Sequence, residues 1–238
     1  MPEDELVAEQ RLDLLRTGDV DIEGRMPWSS NATFLVNVRR GDQCGQAIYK
    51  PMRGERPLWD FEPGLYRREV AAYLLSEAMG FHIVPPTIVR DGPHGEGSMQ
   101  WFVDADHQEH YFTIYEKYDD LHDRLRLMGV LDVVANNTDR KSGHCLLARD
   151  GSIWGIDHGL CFAAQFKLRT VIWEFAGEPI PDAAIAPLQR LVDRVPLDIA
   201  ALLDDDEVEA IQERADWLLQ RGEFPIDETG RRYPWPLV

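Results

Sequence analysis

Two short polar segments, separated by a stretch with the pattern of a β-hairpin, constrain this chain more than any other feature of its sequence. The first island, residues 136–144, reads NNTDRKSGH, and the second island, residues 155–162, reads GIDHGLCF. Between them, CLLARDGSIW has apolar residues on both sides of Asp150 and Gly151, a pair typical of tight turns between antiparallel strands. We therefore expect the hairpin to bring Asp157 of the second island back to Asp139 of the first.

The composition is that of a globular protein with a strongly acidic surface. With 238 residues, 44% of them hydrophobic, the chain is long enough for one large domain or two small lobes around a cleft. The formal net charge of −17 predicts no binding to nucleic acid and no stable binding to anionic membranes. No apolar run has the length of a transmembrane helix, and the acidic N-terminus lacks the apolar core of a signal peptide. Three widely spaced cysteines fit a reducing compartment, so a cytoplasmic location is predicted.

The order of the predicted elements indicates an α+β fold with two lobes. Apolar periodicity in the first half predicts helices at 5–16 and 65–79 and strands at 19–26, 33–40, 45–50, 83–90, 98–104 and 111–116. In the second half, helical spacing dominates at 120–135, near 165–175, and at 182–193, 197–203 and 205–221. We therefore expect an N-lobe over residues 1–110, made of an antiparallel sheet with one key helix, and a small, mainly helical C-lobe over residues 111–238.

A lysine at a strand end and a glutamate on the next helix form a candidate ion pair. Lys50 closes the predicted strand in AIYKP, and a buried lysine at such a position needs a carboxylate partner. Glu69, in YRREVAAYLL, is the natural partner, and Glu62 is the alternative.

The loop between the first two predicted strands is a candidate phosphate-binding element. It contains Ser29, Ser30 and Asn31 but no glycine-rich motif. A serine-rich turn can still present hydroxyl and backbone N–H donors to phosphate oxygens. The alternative interpretation is a plain hairpin turn.

The two islands supply candidate catalytic and metal-binding side chains. Asp139 should be ionised beside Arg140 and Lys141, and it could accept a proton from an attacking hydroxyl. Arg140 or Lys141 could offset the charge on a transferring phosphoryl group. Asp157, at the end of an apolar strand, needs an ion pair or a metal.

The identity of the second metal ligand is open in the sequence. His144 either binds the metal, which would favour Mn²⁺ because imidazole is a poor ligand for Mg²⁺, or leaves this role to Asn136 or Asn137. His158 is predicted to pack as a structural residue.

These residues resemble those of a known family. Lys50 in AIYKP, Glu69 in YRREVAAYLL, LDVVANNTDRKSGH and GIDHG are similar to the actinobacterial members of the phosphatidylinositol 3-/4-kinase-like branch of the kinase superfamily, whose relatives include HipA-type and secretory-pathway kinases. The resemblance implies a two-lobed protein-kinase-like fold that binds ATP with Mg²⁺ or Mn²⁺. It also implies Asp139 as catalytic base, Lys50 and Glu69 as the phosphate-anchoring pair, and Asp157 as metal ligand. Lys141 and His144 depart from the lipid-kinase pattern D-R-H-x-x-N.

Three functions remain open at this level. The first is an ATP- and metal-dependent kinase that phosphorylates a hydroxyl on an unknown protein, lipid or small-molecule acceptor. The second is a pseudokinase that binds nucleotide without turnover. The third is a metal-dependent phosphohydrolase built on Asp139, His144, Asp157 and His158, which would leave Lys50 without a role.

Overall fold

A five-stranded antiparallel sheet is built from the first hundred residues. The computed structural model describes residues 7–27, 29 and 31–237. The strands follow the spatial order β1-β2-β3-β5-β4, and all neighbours are antiparallel. Their bounds are β1 Asp19–Arg25, β2 Phe34–Arg40, β3 Gln43–Pro51, β4 Thr87–Gly92 and β5 Gly95–Trp101.

One face of this sheet is covered by the first helix, α1 (Ala8–Thr17). Leu14 and Leu15 of α1 pack with Val36, Ala47 and Tyr49 in a fully buried cluster. Side chains alternate between the two faces of a strand, so Gln46, Ile48 and Lys50 of β3 point away from α1. Lys50 therefore lies on the face that meets the rest of the protein.

The helix that carries Glu69, α2 (Leu65–Ala78), has its N-terminus fixed by a carboxylate. Glu55 accepts hydrogen bonds from the backbone N–H groups of Gly64 (2.8 Å) and Tyr66 (2.9 Å). The first N–H groups of a helix lack partners within it, and an acidic side chain there also interacts favourably with the positive end of the helix dipole. Glu55 thus sets where α2 begins, and the helix start sets the position of Glu69.

Helices form most of the second half of the chain. They are α3 (Tyr111–Lys117), α4 (His122–Val134), α5 (Asp182–Asp193), α6 (Leu197–Ala200) and α7 (Asp205–Arg221). The predicted hairpin is present as β6 (Cys145–Leu147) and β7 (Ile153–Gly155), in the register Cys145↔Gly155. Together with the sheet, these helices confirm the predicted α+β class, whereas the division at residues 110 and 111 remains a prediction. No helix of the described chain has both the length and the apolar character needed to cross a bilayer.

Two sequence-based assignments are wrong. Residues 111–116 are helical rather than a strand, because Tyr111 and Ile114, three residues apart, are both buried on one helical face. Thr113 closes the start of α3 by accepting a hydrogen bond from the His110 backbone N–H. Residues 165–175 form no helix, because their backbone pairs with the first island instead, through a parallel bridge between Arg140 and Thr170.

Candidate active site

The hairpin brings the two islands side by side, as predicted. The backbone N–H of Ile156 donates to the carbonyl of His144 at 3.0 Å, directly beyond the last pair of the β6–β7 ladder. Further along, the N–H of Thr138 donates to the carbonyl of Leu160 at 3.1 Å. Asp139 and Asp157 are thus carried by two adjacent backbone segments that are fixed to one another.

Lys50 lies between two carboxylates. Its Nζ forms an ion pair with Oε1 of Glu69 and a second with Oδ1 of Asp157, at 2.8 Å. Glu69, rather than the alternative Glu62, is therefore the helix partner of Lys50. Burial alone would lower the pKa of Lys50, but Asp157 and Glu69 raise it above its ordinary value, so the ammonium stays charged.

Glu69 also connects α2 to the second island. Its Oε2 accepts a hydrogen bond of 2.9 Å from the backbone N–H of His158, while Oε1 holds Lys50. The side chain of Glu69 is only 4% exposed. Any movement of α2 would consequently disturb both the lysine and the residue that follows Asp157.

Asp157 has the backbone and the environment of a functional residue. Its φ of +61° is in the left-handed region, which non-glycine residues rarely adopt and which is often found at functional sites. Its side chain is half-exposed and lies two residues beyond the end of β7. The charge of Lys50 outweighs burial and holds the pKa of Asp157 well below its ordinary value, so the carboxylate is ionised.

His144 is the second side chain that faces Asp157. Its Nε2 lies 3.3 Å from Oδ2 of Asp157, and its Nδ1 accepts a weak 3.4 Å hydrogen bond from the backbone N–H of Lys141. Burial lowers the pKa of His144 to about 4, so the imidazole is neutral at neutral pH and can act as a ligand.

Asp157 and His144 together could hold a divalent cation whose remaining ligands come from a bound molecule. The described residues contain no group of three or more His, Cys, Asp or Glu side chains placed to hold a metal. Mg²⁺ and similar ions are commonly held by one or two protein ligands together with nucleotide phosphates. A metal here would therefore depend on the nucleotide for its remaining oxygen ligands.

The two asparagines do not supply that ligand. Asn136 is fully buried and its amide donates to the carbonyls of Ala163 and Gln165. Asn137 donates to Asp132 at 2.9 Å, and its Oδ1 accepts the backbone N–H of Asp139 at 3.0 Å. The prediction of Asn137 as a metal ligand is therefore wrong, because its amide is used to shape the first island.

Asp139 lies at the surface of the first island and is paired with Lys141. Its Oδ2 is 3.0 Å from Nζ of Lys141, and its side chain is 26% exposed. Partial burial raises the pKa of Asp139 above its ordinary value, and Lys141 opposes this rise. A carboxylate whose pKa is raised but which is still accessible is suited to accept a proton.

Arg140 has a structural role, which corrects the prediction that it could face a phosphoryl group. The side chain is fully buried, with Nε and Nη2 bound to the carboxylate of Asp132 at 2.9–3.1 Å. Nη1 donates to the carbonyls of His144 (3.3 Å) and Ile156 (2.9 Å). One guanidinium thus ties both islands to α4, and it cannot reach the solvent-exposed side where Asp139 and Lys141 lie.

Asp132 is a site residue that the sequence analysis missed. It accepts from Arg140, Asn137 and Thr170, all within 3.1 Å, and it is fully buried. The available signal was a lone carboxylate in the apolar run LDVV, since a buried charge requires partners.

His158 is buried, as predicted. Its Nε2 accepts a 2.7 Å hydrogen bond from Nη2 of Arg140, and burial together with the charge of Arg140 keeps its pKa well below the ordinary value. This neutral, inward-facing ring is not available to a ligand in the cleft. The phosphohydrolase hypothesis, which used His158, loses one of its four residues.

The loop between β1 and β2 is held by its own polar side chains. The hydroxyl of Ser29 bonds to that of Thr33 at 2.7 Å, and Oδ1 of Asn31 accepts the backbone N–H of Arg56 at 3.0 Å. Ser30 lies outside the described residues. Ser29 and Asn31 thus shape the loop, and its contact with phosphate remains a prediction.

A cavity beside the hairpin is a feature that the sequence analysis did not identify. It has a volume of about 860 Å³ and is lined by Gln46 of β3, Trp154 of β7 and residues 101–104, where the chain leaves β5. Its aromatic side chains are Trp101, Phe102 and Trp154, and its wall also contains charged side chains, Arg11, Asp104, Arg149 and Asp150. A cavity with aromatic walls and a few polar groups can hold a flat ring.

The sequence is similar to a known protein family and to individual known proteins. Residues 64–208 match the family described as "Phosphatidylinositol 3- and 4-kinase". The chain is 38% identical to "Protein Rv2133c" of Mycobacterium tuberculosis, and the match covers 94% of each protein. It is also 32% identical to "Phosphatidylinositol 4-kinase gamma 4" of Oryza sativa, over 49% of this chain and 24% of the plant protein.

Solved structures of similar shape include a Golgi casein kinase. The crystal structure of the Golgi casein kinase with Mn/ADP bound matches 97% of this chain and 80% of its own with a TM-score of 0.57 at 15% identity. Hydra Fam20 with sugar matches 93% and 89%, with a TM-score of 0.55 at 12% identity. At these identities the likeness concerns the fold, and it confirms the predicted protein-kinase-like fold. Together with the family match over more than half of the residues, these findings show that the chain belongs to the phosphatidylinositol 3- and 4-kinase family.

Proposed function

We propose that this protein is an ATP- and metal-dependent kinase that phosphorylates a hydroxyl group. The family and the fold support a phosphotransferase. The observation that carries the proposal is the position of Lys50, which is ion-paired at once to Glu69 on α2 and to Asp157 at the end of the hairpin. A kinase site needs this arrangement, because the lysine must contact the nucleotide phosphates next to the metal-binding aspartate.

Each residue of the site has a separate role in the proposed reaction. Lys50, held by Glu69, would bind phosphate oxygens of ATP, and the cavity lined by Trp101, Phe102 and Trp154 would accept the base. Asp157 and His144 would hold Mg²⁺ or Mn²⁺, which supplies charge neutralisation at the phosphates when bound.

Asp139 would accept the proton of the attacking hydroxyl. Lys141 is now paired with Asp139 and lies on the same exposed side. A lysine here can move towards the transferring group, where its positive charge would stabilise the negative charge of the transition state.

Removing the carboxylate of Asp157 should abolish metal-dependent nucleotide binding. In a thermal shift experiment, the wild type is expected to be stabilised by ATP with Mg²⁺ or Mn²⁺, because a ligand that binds only the folded state raises Tm. Asp157→Ala should weaken this binding by at least about 10- to 100-fold, the loss seen when even indirect metal contacts are removed. Asp193→Ala, which changes an exposed aspartate at the end of α5, is the matched control. The cleft is assigned wrongly if Asp157→Ala binds the metal–nucleotide complex as the wild type does.

The same experiment separates the remaining alternatives. A thermal shift with ATP and metal but no phosphoryl transfer to any acceptor would favour the pseudokinase. Metal binding without nucleotide binding would favour the phosphohydrolase. No shift in either metal would exclude both nucleotide-binding functions.

The metal preference is expected to depend on His144. Imidazole suits Mn²⁺ better than Mg²⁺, whereas an amide oxygen suits both. His144→Asn should therefore lower the ratio of the rate in Mn²⁺ to the rate in Mg²⁺, which can be measured at saturating ATP. An unchanged ratio would show that His144 is not a ligand.

A further inference from the structure

The helix that carries Glu69 is attached to the second half of the chain through the residue before it. Nη1 of Arg68 lies 2.7 Å from Oε1 of Glu207 on α7, and each of these side chains is only 9% exposed. The same Nη1 makes a longer contact, 3.5 Å, with the carbonyl of Cys161 in the second island. Arg68 therefore connects α2 both to α7 and to the segment that contains Asp157.

Glu207 is placed for this contact by the way α7 begins. Asp204 is the residue that precedes the helix, and its backbone N–H donates to Oε2 of Glu207 at 3.2 Å, one half of a capping box. The other acidic side chains of this turn are exposed, whereas Glu207 is buried against α2. Arg214, further along α7, also acts electrostatically on Glu207, but its guanidinium donates to backbone carbonyls. The cation in contact with Glu207 is thus Arg68.

The loop before α2 contributes a second attachment at the same place. The guanidinium of Arg68 lies over the ring of Phe61 at 5.2 Å, and Nζ of Lys167 lies over the same ring at 5.3 Å. Lys167 also forms an ion pair of 3.3 Å with Asp60. Its backbone N–H donates to the side chain of Asn136 in the first island. The start of α2 and the loop before it are therefore held against the segments that carry both islands.

Both carboxylate oxygens of Glu69 depend on where this helix lies. Oε1 holds Lys50, and Oε2 accepts the backbone N–H of His158 at 2.9 Å. A displacement of α2 by about 1 Å would lengthen both contacts, and misplacement on this scale can lower a reaction rate by about 10²-fold. Arg68 is adjacent to Glu69 in the chain, so its anchor acts on the turn of α2 that presents the carboxylate.

A buried ion pair is a poor means of stabilising a fold, because both charges lose their water and apolar side chains of the same size are often as stable. A charged hydrogen bond does, however, impose one distance and one direction on the two helices that it joins. We propose that Arg68 and Glu207 are positioning residues for phosphoryl transfer, which hold α2 where Glu69 can fix Lys50 for phosphate binding. This role rests on the proposed kinase function.

Amide hydrogen exchange on the full chain tests the position of Glu69 without nucleotide. Arg68→Met removes the charge and keeps a side chain of similar length. Exchange should become faster in residues 65–78, which form α2, and in residues 156–160, because Glu69 would hold the N–H of His158 less firmly. Exchange in α4 should stay the same, whereas a general loss of structure would raise it as well.

A double variant covers the case in which the single variant does not fold. Arg68→Met/Glu207→Gln removes both buried charges and keeps a residue type that a capping box accepts, so its Tm should be close to that of the wild type. Titration calorimetry should show that both variants bind ATP with Mg²⁺ or Mn²⁺ about tenfold more weakly, a loss typical when a residue that orients a ligand-binding group is removed. Arg68→Lys, which keeps the charge, should recover most of the affinity.

The control is Arg194→Met, which changes an exposed arginine at the end of α5 and should alter neither exchange nor ATP affinity. Three results would overturn the proposal: ATP affinity unchanged in the double variant, exchange unchanged in residues 156–160, or a loss in Arg68→Lys as large as in Arg68→Met. Failure of the kinase function would appear differently, because the wild type itself would then not bind ATP with metal.

Discussion

The Asp139→Asn variant is expected to transfer phosphoryl groups about 10²- to 10⁴-fold more slowly than the wild type, the usual contribution of a general base. The amide has nearly the same shape but cannot accept the proton of the attacking hydroxyl. Nucleotide binding should be retained, because Lys50, Glu69 and Asp157 are unchanged. The rate of ATP-dependent phosphorylation and the thermal shift with ATP and metal, measured on the same variant, separate these two effects.

The folding stability of Asp139→Asn should be unchanged or slightly higher. Because the folded protein raises the pKa of Asp139, the ionised carboxylate is less favoured in the folded than in the unfolded state, and this penalty is fully present above the folded-state pKa. The rate of phosphoryl transfer by the wild type should accordingly fall as the pH is lowered. The midpoint of this fall should lie above the pKa of an ordinary carboxyl group. If Asp139→Asn transferred phosphoryl groups at the wild-type rate, Asp139 would not be the general base. If the Tm of this variant were lowered, the carboxylate would have a structural role instead.

Local sequence patterns were sufficient to predict the hairpin and the lysine–glutamate pair of the candidate site. The turn at Asp150 and Gly151 between two apolar runs predicted the hairpin, and the hairpin register determines that the islands meet. The pairing of Lys50 with Glu69 followed from the order strand, loop, helix. In each case the signal lies within about twenty residues of chain, and the packing agrees with it.

The remaining features depend on contacts that local patterns do not specify. Residues 111–116 have a strand-like composition but become helical because one face is buried. Residues 165–175 have helical spacing but use their backbone to pair with the first island. The carbonyls of Arg232 and Leu237 accept hydrogen bonds from the backbone N–H groups of Thr170 and Ser142, a contact between distant parts of the chain that no local pattern indicates.

Arg140 and Lys141 illustrate this limit most directly, since adjacent residues of the same charge have different roles. The backbone of the first island turns Arg140 inward to Asp132 and Lys141 outward to Asp139. Sequence alone offers no basis for choosing between them as the residue that faces a phosphoryl group. Substitution of each by methionine, which is close in length and carries no charge, should separate their roles.

Arg140→Met is expected to lower the free energy of unfolding by about 3–5 kcal/mol, because it leaves the buried carboxylate of Asp132 without its charged partner. The carbonyls of His144 and Ile156 would lose a donor as well. For a chain of this size the loss corresponds to a decrease in Tm of roughly 6–20 °C. The double variant Asp132→Leu/Arg140→Met should recover part of the stability, since replacing both members of a buried pair costs far less than removing one.

Lys141→Met should leave the stability nearly unchanged and lower the rate of phosphoryl transfer. Its ion pair with Asp139 is partly exposed, so the stability should change by no more than about 1 kcal/mol. The rate should fall by about 10²- to 10³-fold if Lys141 stabilises charge on the transferring group. Chemical denaturation and steady-state kinetics on the two single variants would measure both quantities. If Arg140→Met kept its stability and lost only its rate, the inward position of Arg140 would not describe the working enzyme, and the two islands would have to be arranged differently when nucleotide is bound.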